Sequence, residues 1–142
     1  MTLRLVLLSL HVVIAILGLG QLGAIAFAAR AARHASDAVP GLASNLARSL
    51  RTTQISSIAM LSTGVLLEVV AATGYHRGLW FRASGVLLLL ALFSQTRARA
   101  ALRRLSEAAT RSQALADVER WCLTACGLVA TIAVLMEVKA PW

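Results

Sequence analysis

Three histidines, two cysteines and six acidic residues are the side chains here best suited to chemistry, and several stand inside long apolar runs. His11 lies early in the first run, Glu68 late in the second and Glu137 near the end of the fourth. An ionisable group in hydrocarbon is expensive, so it faces a bundle interior or water and takes a partner. Helical phase sorts these residues onto faces. Arg4, His11 and Gly18 repeat every seven residues and share one side of a helix. Gln54, Ser57, Leu61, Gly64, Glu68, Ala72 and Tyr75 follow three-four spacing and make a polar, small-residue stripe on a second helix. Cys126 and Glu137 are eleven residues apart, close to three turns. With these faces turned inward, His11, Glu68, Arg4 and Glu137 are expected to form one intramembrane cluster, with Arg4–Glu68 or His11–Glu68 as its natural pair. Such a cluster either fixes helix register or handles a proton, an ion or a ligand. A histidine suits the second use because it titrates near neutral pH.

Cofactor chemistry has fewer supports. A b-type haem needs axial histidines on different helices, and His11 and His76 fall on the same side of the membrane. His76 sits in the reversal after Gly74, nearer water, so the pair requires a bent link; His34 belongs to the opposite side. Copper held by His11 with Glu68, Met60 or His76 lacks a paired-histidine motif or a methionine cluster. Cys122 and Cys126 share a helix face but are too few for a metal site, and read as small packing residues. Gly18-Leu19-Gly20-Gln21-Leu22-Gly23 matches GxGxxG, yet the dinucleotide fingerprint needs a preceding strand and a later acidic residue. Gly18, Gly20 and Gly23, with Gly64 on the second helix, are better read as sites of close helix packing. Gln21 is expected to make an interhelical hydrogen bond. No serine has a histidine at matching depth, and HExxH and Walker patterns are missing, so no catalytic motif is found.

The elements that must position these residues are four apolar stretches, Leu3–Ala29, Thr53–Gly74, Leu79–Gln95 and Trp121–Val138. Crossing hydrocarbon about 30 Å thick takes ~20 helical residues. Composition agrees: 58% of residues are hydrophobic and 14% charged, against ~45–50% and ~25% in soluble domains, and mean hydropathy is +0.76. The expected fold is an all-α integral membrane protein, an antiparallel four-helix bundle forming a single domain over residues 1–142 with no soluble domain. Arg4 and Ala26–Ala28 imitate a cleaved signal, but the first run is about twice the usual ~7–15-residue h-region, so it is read as a retained helix. In the link 30–52, Arg30–His34 extends the first helix, Pro40-Gly41 turns the chain and Ala43–Arg51 leads helically into the second span. Residues 74–78 make a tight reversal. In the link 96–120 the third helix is expected to run on, break near Ser112–Ala116 and restart with Asp117 as N-cap. Tyr75, Trp80, Phe81 and Trp142 mark one membrane boundary and Trp121 the other.

Charge orients the spans. The two long links carry Arg30, Arg33, Arg48, Arg51, Arg97, Arg99, Arg103, Arg104, Arg111 and Arg120, against Arg4, Arg77, Arg82 and Lys139 on the other side. Ten against four places the long links in the cytoplasm and both termini outside. The net charge of +8 is therefore an orientation signal, suited to contact with anionic lipid rather than to a folded nucleic-acid-binding face.

Leu10-His11 followed by Gly18 and Gly20, Arg51 opening the second span, and the ending Lys139-Ala140-Pro141-Trp142 together make a pattern. It resembles a group of small bacterial four-span proteins distantly like the membrane part of copper-resistance D proteins. This chain departs from that pattern by placing Ala140 before Pro141 and by having no tryptophan after the first-span histidine. The resemblance implies a bacterial inner-membrane location and association with copper or haem, and carries over His11 alone. Three functions are expected from these features. One is a non-catalytic binding or accessory subunit docked to other membrane helices or to further copies of itself. The others are a haem- or metal-binding redox protein using His11, and a small proton or ion transport component using His11 and Glu68.

Overall fold

Side chains of the long runs are apolar on most sides, and in lipid every backbone N–H and C=O must be paired within the segment, which leaves the helix as the available form. The computed structural model describes residues 3–35, 41–71, 78–106 and 110–138. The first span is built from α1 (Leu3–Ile14), a π turn (Ala15–Leu19) and α2 (Gln21–His34). Next come α3 (Leu42–Ala71) and α4 (Leu79–Leu102), which tightens into a 3₁₀ turn at Arg103–Ser106, and then α5 (Arg111–Val138). Among the described residues no strand occurs. Four helical stretches are long and apolar enough to cross a membrane: Leu3–His34, Leu42–Val70, Leu79–Leu105 and Arg111–Met136. The chain is thus an all-α, multi-pass membrane protein with four helices packed as a bundle. Phe27, Val69, Leu79 and Val134, all more than half exposed, line its outer surface, where lipid tails rather than water are the matching solvent.

The helices overrun the apolar stretches at the arginine-rich end. Arg30–His34 and the residues after Leu42 are helical, as their spacing suggests. The third link differs from expectation. Ser112–Ala116 belongs to α5, and Asp117 sits inside that helix rather than at its cap. Ala114, Leu115, Val118, Cys122 and Ala125 are all buried and continue one apolar face at helical spacing, so the helix starts earlier. Asp117 instead pairs with Arg104 at 3.7 Å. Glu119, two residues on, lies 3.3 Å from Arg33 and 3.9 Å from Arg30, which ties α5 to the end of α2. The expected reversal at 74–78 falls largely outside the described residues. At the arginine end Trp121 meets Phe93 edge-on at 6.4 Å and the Arg97 guanidinium at 5.7 Å. At the other end Trp80 and Phe81 meet edge-on at 5.9 Å.

Packing differs between the two halves of the bundle. Toward the arginine end, α2 packs along α5, α5 along α4, α4 on α3, and α3 on α2, closing a ring. Its core is lined by Ala26, Ala29, Ala98 and Ala101 between Leu46, Leu50, Leu102 and Leu115. Small side chains let helix backbones approach closely where no hydrophobic force drives them together. Toward the opposite end α1 packs on α3 and makes no comparable contact with α5. The switch of partner coincides with the π turn, and Gly18 permits it. A methyl group on Gly18 would overlap Oγ and Cβ of Ser56, whose Cα would lie only 3.5 Å from it. Gly20 is tight for a different reason, since a side chain there would press on the Ile16 carbonyl of its own turn, while Gly23 faces open space.

Gly18→Ala is therefore expected to lower stability by about 1–3 kcal/mol, the usual cost of overpacking. Adding Ser56→Gly, which removes the two atoms in the way, should recover part of that loss in thermal unfolding of the detergent-solubilised protein. Simple additivity of the two changes would count against the contact.

Candidate functional site

His11 projects from α1 toward α3, and its Nδ1 lies 2.7 Å from Thr63 Oγ1. The Thr63 hydroxyl donates back to the Ala59 carbonyl at 2.8 Å, a common use of a threonine inside a helix. The direction of the His11–Thr63 bond turns on the imidazole tautomer; with the hydroxyl proton given to Ala59, Thr63 has lone pairs left for the ring, and the tautomer that satisfies both groups has its hydrogen on Nδ1. Nε2 is then the acceptor, and no described residue hydrogen-bonds to it. Gly64 lies alongside: a Cβ there would stand 3.6 Å from His11 Cε1, so its hydrogen leaves space beside the ring.

That space is part of a cavity of about 290 Å³ to which all four spans contribute. Its wall includes His11 and Ile16 from the first span, Met60 and Gly64 from α3, Phe81 and Leu88 from α4, and Ile132 and Met136 from α5. Ser84 also lines it, but spends its hydroxyl on the Trp80 carbonyl at 2.8 Å. Among the described residues His11 is the only ionisable side chain on the wall. Val12 and Ile16 on the first span are 47% and 66% exposed, and Ala133 on α5 is exposed as well. Val65 on α3, 53% exposed, lines it too, so the wall of the cavity reaches the apolar outer surface of the bundle, and α1 does not pack along α5 at this level.

The other expected site residues are placed as follows. Glu68 is half-buried on α3, one turn beyond Gly64, while the hydrogen bond of His11 goes to Thr63. Arg4 is exposed on α1. Glu137 lies in the last turn of α5, with its side chain outside the described residues, as are His76 and the whole Lys139–Trp142 ending. Gln21, expected to bond across helices, donates instead to the Leu17 carbonyl at 3.0 Å, a lateral donor where the π turn interrupts the regular ladder. Cys122 is buried and Cys126 half-buried, both free thiols. Among the described residues no three His, Cys, Asp or Glu side chains gather closely enough to hold a metal ion. The donors that share the cavity with His11 are the thioethers of Met60 and Met136.

Sequence reasoning passed over Gln95, which looked like the boundary of the third span. It is fully buried, and its Nε2 donates to Ser57 Oγ at 2.9 Å. Ser57 in turn donates to the Thr53 carbonyl at 3.0 Å. Gln95 Oε1 is buried with no hydrogen-bond partner. The signal was present in Ser57, whose place on the polar stripe required a partner on a facing helix.

No protein-family model, no curated protein and no solved structure matches the chain.

Ser57→Ala is expected to cost about 1–3 kcal/mol, because it strips the one partner from a buried amide. Gln95→Leu should fall within about 1 kcal/mol of the native protein or exceed it, since it removes an orphaned oxygen and leaves Ser57 bonded to Thr53. Thermal unfolding of both variants checks the contrast; equal losses would mean that the amide is satisfied by other means.

Proposed function

We propose that this protein is a non-catalytic binding subunit of the membrane, taking an apolar molecule from the bilayer into the cavity beside His11. The observation that carries this reading is an apolar space bounded by all four spans, lined in part by residues exposed on the outer surface and lying where α1 does not pack along α5, away from the arginine-rich end. Pockets for small molecules are concave, mostly apolar and furnished with few polar groups, and among the described residues this one has a single ionisable side chain. A molecule dissolved in lipid reaches such a space without crossing water. A soluble substrate does not. The excess of arginine at the two long links supports a cytoplasmic location for them and an exterior location for both termini, as in a bacterial inner membrane. The cavity then sits in the outer half of the bilayer. As an accessory subunit the protein would hold its guest there for a partner made of further membrane helices or further copies of this chain.

Met60 and Met136 favour a second reading. Two thioethers and an imidazole nitrogen suit a soft ion such as Cu(I), and the hydrogen bond from His11 Nδ1 to Thr63 is of the kind that orients a metal-ligating histidine. In that reading the protein is a metal or redox carrier.

Native mass spectrometry with para-nonylanisole as the apolar probe separates these readings. One saturable adduct per chain is expected, with none in Gly85→Phe, a change at a cavity residue whose Cβ direction is open. Equal adducts in both proteins would overturn the lipid-ligand reading. Stoichiometric copper in the same purified sample, lost in the double variant Met60→Leu, Met136→Leu, would establish the metal reading. For the orientation, a reporter active only in the cytoplasm and fused after Trp142 should stay silent, and activity there would reverse the assignment.

A further inference from the structure

The cavity does more than offer apolar volume, because the ionisable side chain on its described wall, His11, is held by a hydrogen bond from α3. Thr63 donates to Ala59 and stands 2.7 Å from His11 Nδ1; the assignment in which it accepts from Nδ1 leaves Nε2 as the acceptor of a ring that lines the cavity. A polar atom facing an apolar space without a partner carries a desolvation cost. A ligand that supplies a donor at that point removes the cost, whereas a ligand with only acceptors repeats it. Resting on the binding function proposed above, we infer that the cavity selects amphiphiles carrying a hydroxyl head, with that O–H donating to His11 Nε2 and the tail leaving between Val12 and Ala133 toward lipid.

Three features fit this choice of occupant. The head would lie beside Gly64, where the missing side chain leaves room next to the ring. Ser84 is already committed to the Trp80 carbonyl and does not compete for the hydroxyl. Val12 and Ala133, on the cavity wall, are apolar and exposed, as an alkyl tail requires. In this arrangement Thr63 is a positioning residue: it touches the histidine and not the ligand, and its role is to hold the imidazole in the accepting form.

The test compares para-nonylphenol with para-nonylanisole, which differ in having or lacking the hydroxyl hydrogen, by native mass spectrometry of the full-length protein. The phenol is expected to bind about three- to tenfold more tightly, the range a neutral hydrogen bond supplies. His11→Phe keeps much of the volume of the wall and should bring the ratio of the two affinities to one. Thr63→Val should reduce the ratio as well. Equal affinities of the two probes for the native protein would overturn the hydroxyl selection and leave the apolar-binding function standing. Absence of any saturable adduct with either probe would overturn both. Because the two probes are compared on the native chain, the test survives a folding defect in His11→Phe.

Discussion

The contact between Gly18 and Ser56 is the constraint on which the rest of the molecule turns. At this level the first span abandons α-helical spacing for a π turn and lies so close to α3 that no side chain fits at Gly18. Single-turn π segments are uncommon and tend to occur where a helix must re-aim its side chains. Here the consequence is a change of partner. Below the turn α2 seals the bundle against α5; above it α1 leans on α3 and parts from α5. A straight first span with larger residues would either close the upper half or hold the two helices apart along their whole length. The cavity and the contact of His11 with Thr63 both lie on the far side of this turn, where α1 keeps to α3.

The few polar groups inside the bundle are used in a consistent way. His11 bonds to Thr63 and Gln95 to Ser57, each crossing from a neighbouring helix to α3, and each hydroxyl is satisfied in turn by a carbonyl one turn earlier. Neutral partners serve better than charges at this depth, since an ion pair in hydrocarbon carries a desolvation penalty that its attraction seldom repays. The charges are kept at the arginine-rich end, where Glu119 joins Arg33 and Arg30, and Asp117 joins Arg104. Those pairs are partly exposed and contribute little to stability. Their more evident effect is on register: Glu119 ties α5 to the end of α2, and Asp117 ties it to the turn that follows α4.

Much of this was legible in the sequence, for reasons that also explain the rest. Four spans follow from length and hydropathy alone, and the helical overruns at Arg30–His34 and after Leu42 follow from spacing. The start of α5 was not, because Asp117 is a good cap by type while the buried face at Ala114, Leu115 and Val118 outweighs it. His11 stood out as the chemistry-bearing residue of the first span, but a sequence invites pairing by charge, and Glu68 was the nearest charge in phase. Thr63, beside the packing residue Gly64, carried no signal of its own, because a hydroxyl in a helix can be satisfied by a carbonyl of the preceding turn. The parting of α1 from α5 was beyond reach. Helical phase says which face of a helix is apolar and not which neighbour that face has left.

A photoreactive diazirine hydrocarbon dissolved in the bilayer, with its attachment sites mapped by peptide mass spectrometry, tests the central claim most directly. Leu88 and Ile132 are only 8% and 7% exposed yet line the cavity. Labelling of both at a level comparable to lipid-facing Val69 is the expected result, since a guest from the membrane reaches them past the exposed residues of the wall. Label confined to Val69, Phe27 and other outward residues, with the cavity wall untouched, would contradict it.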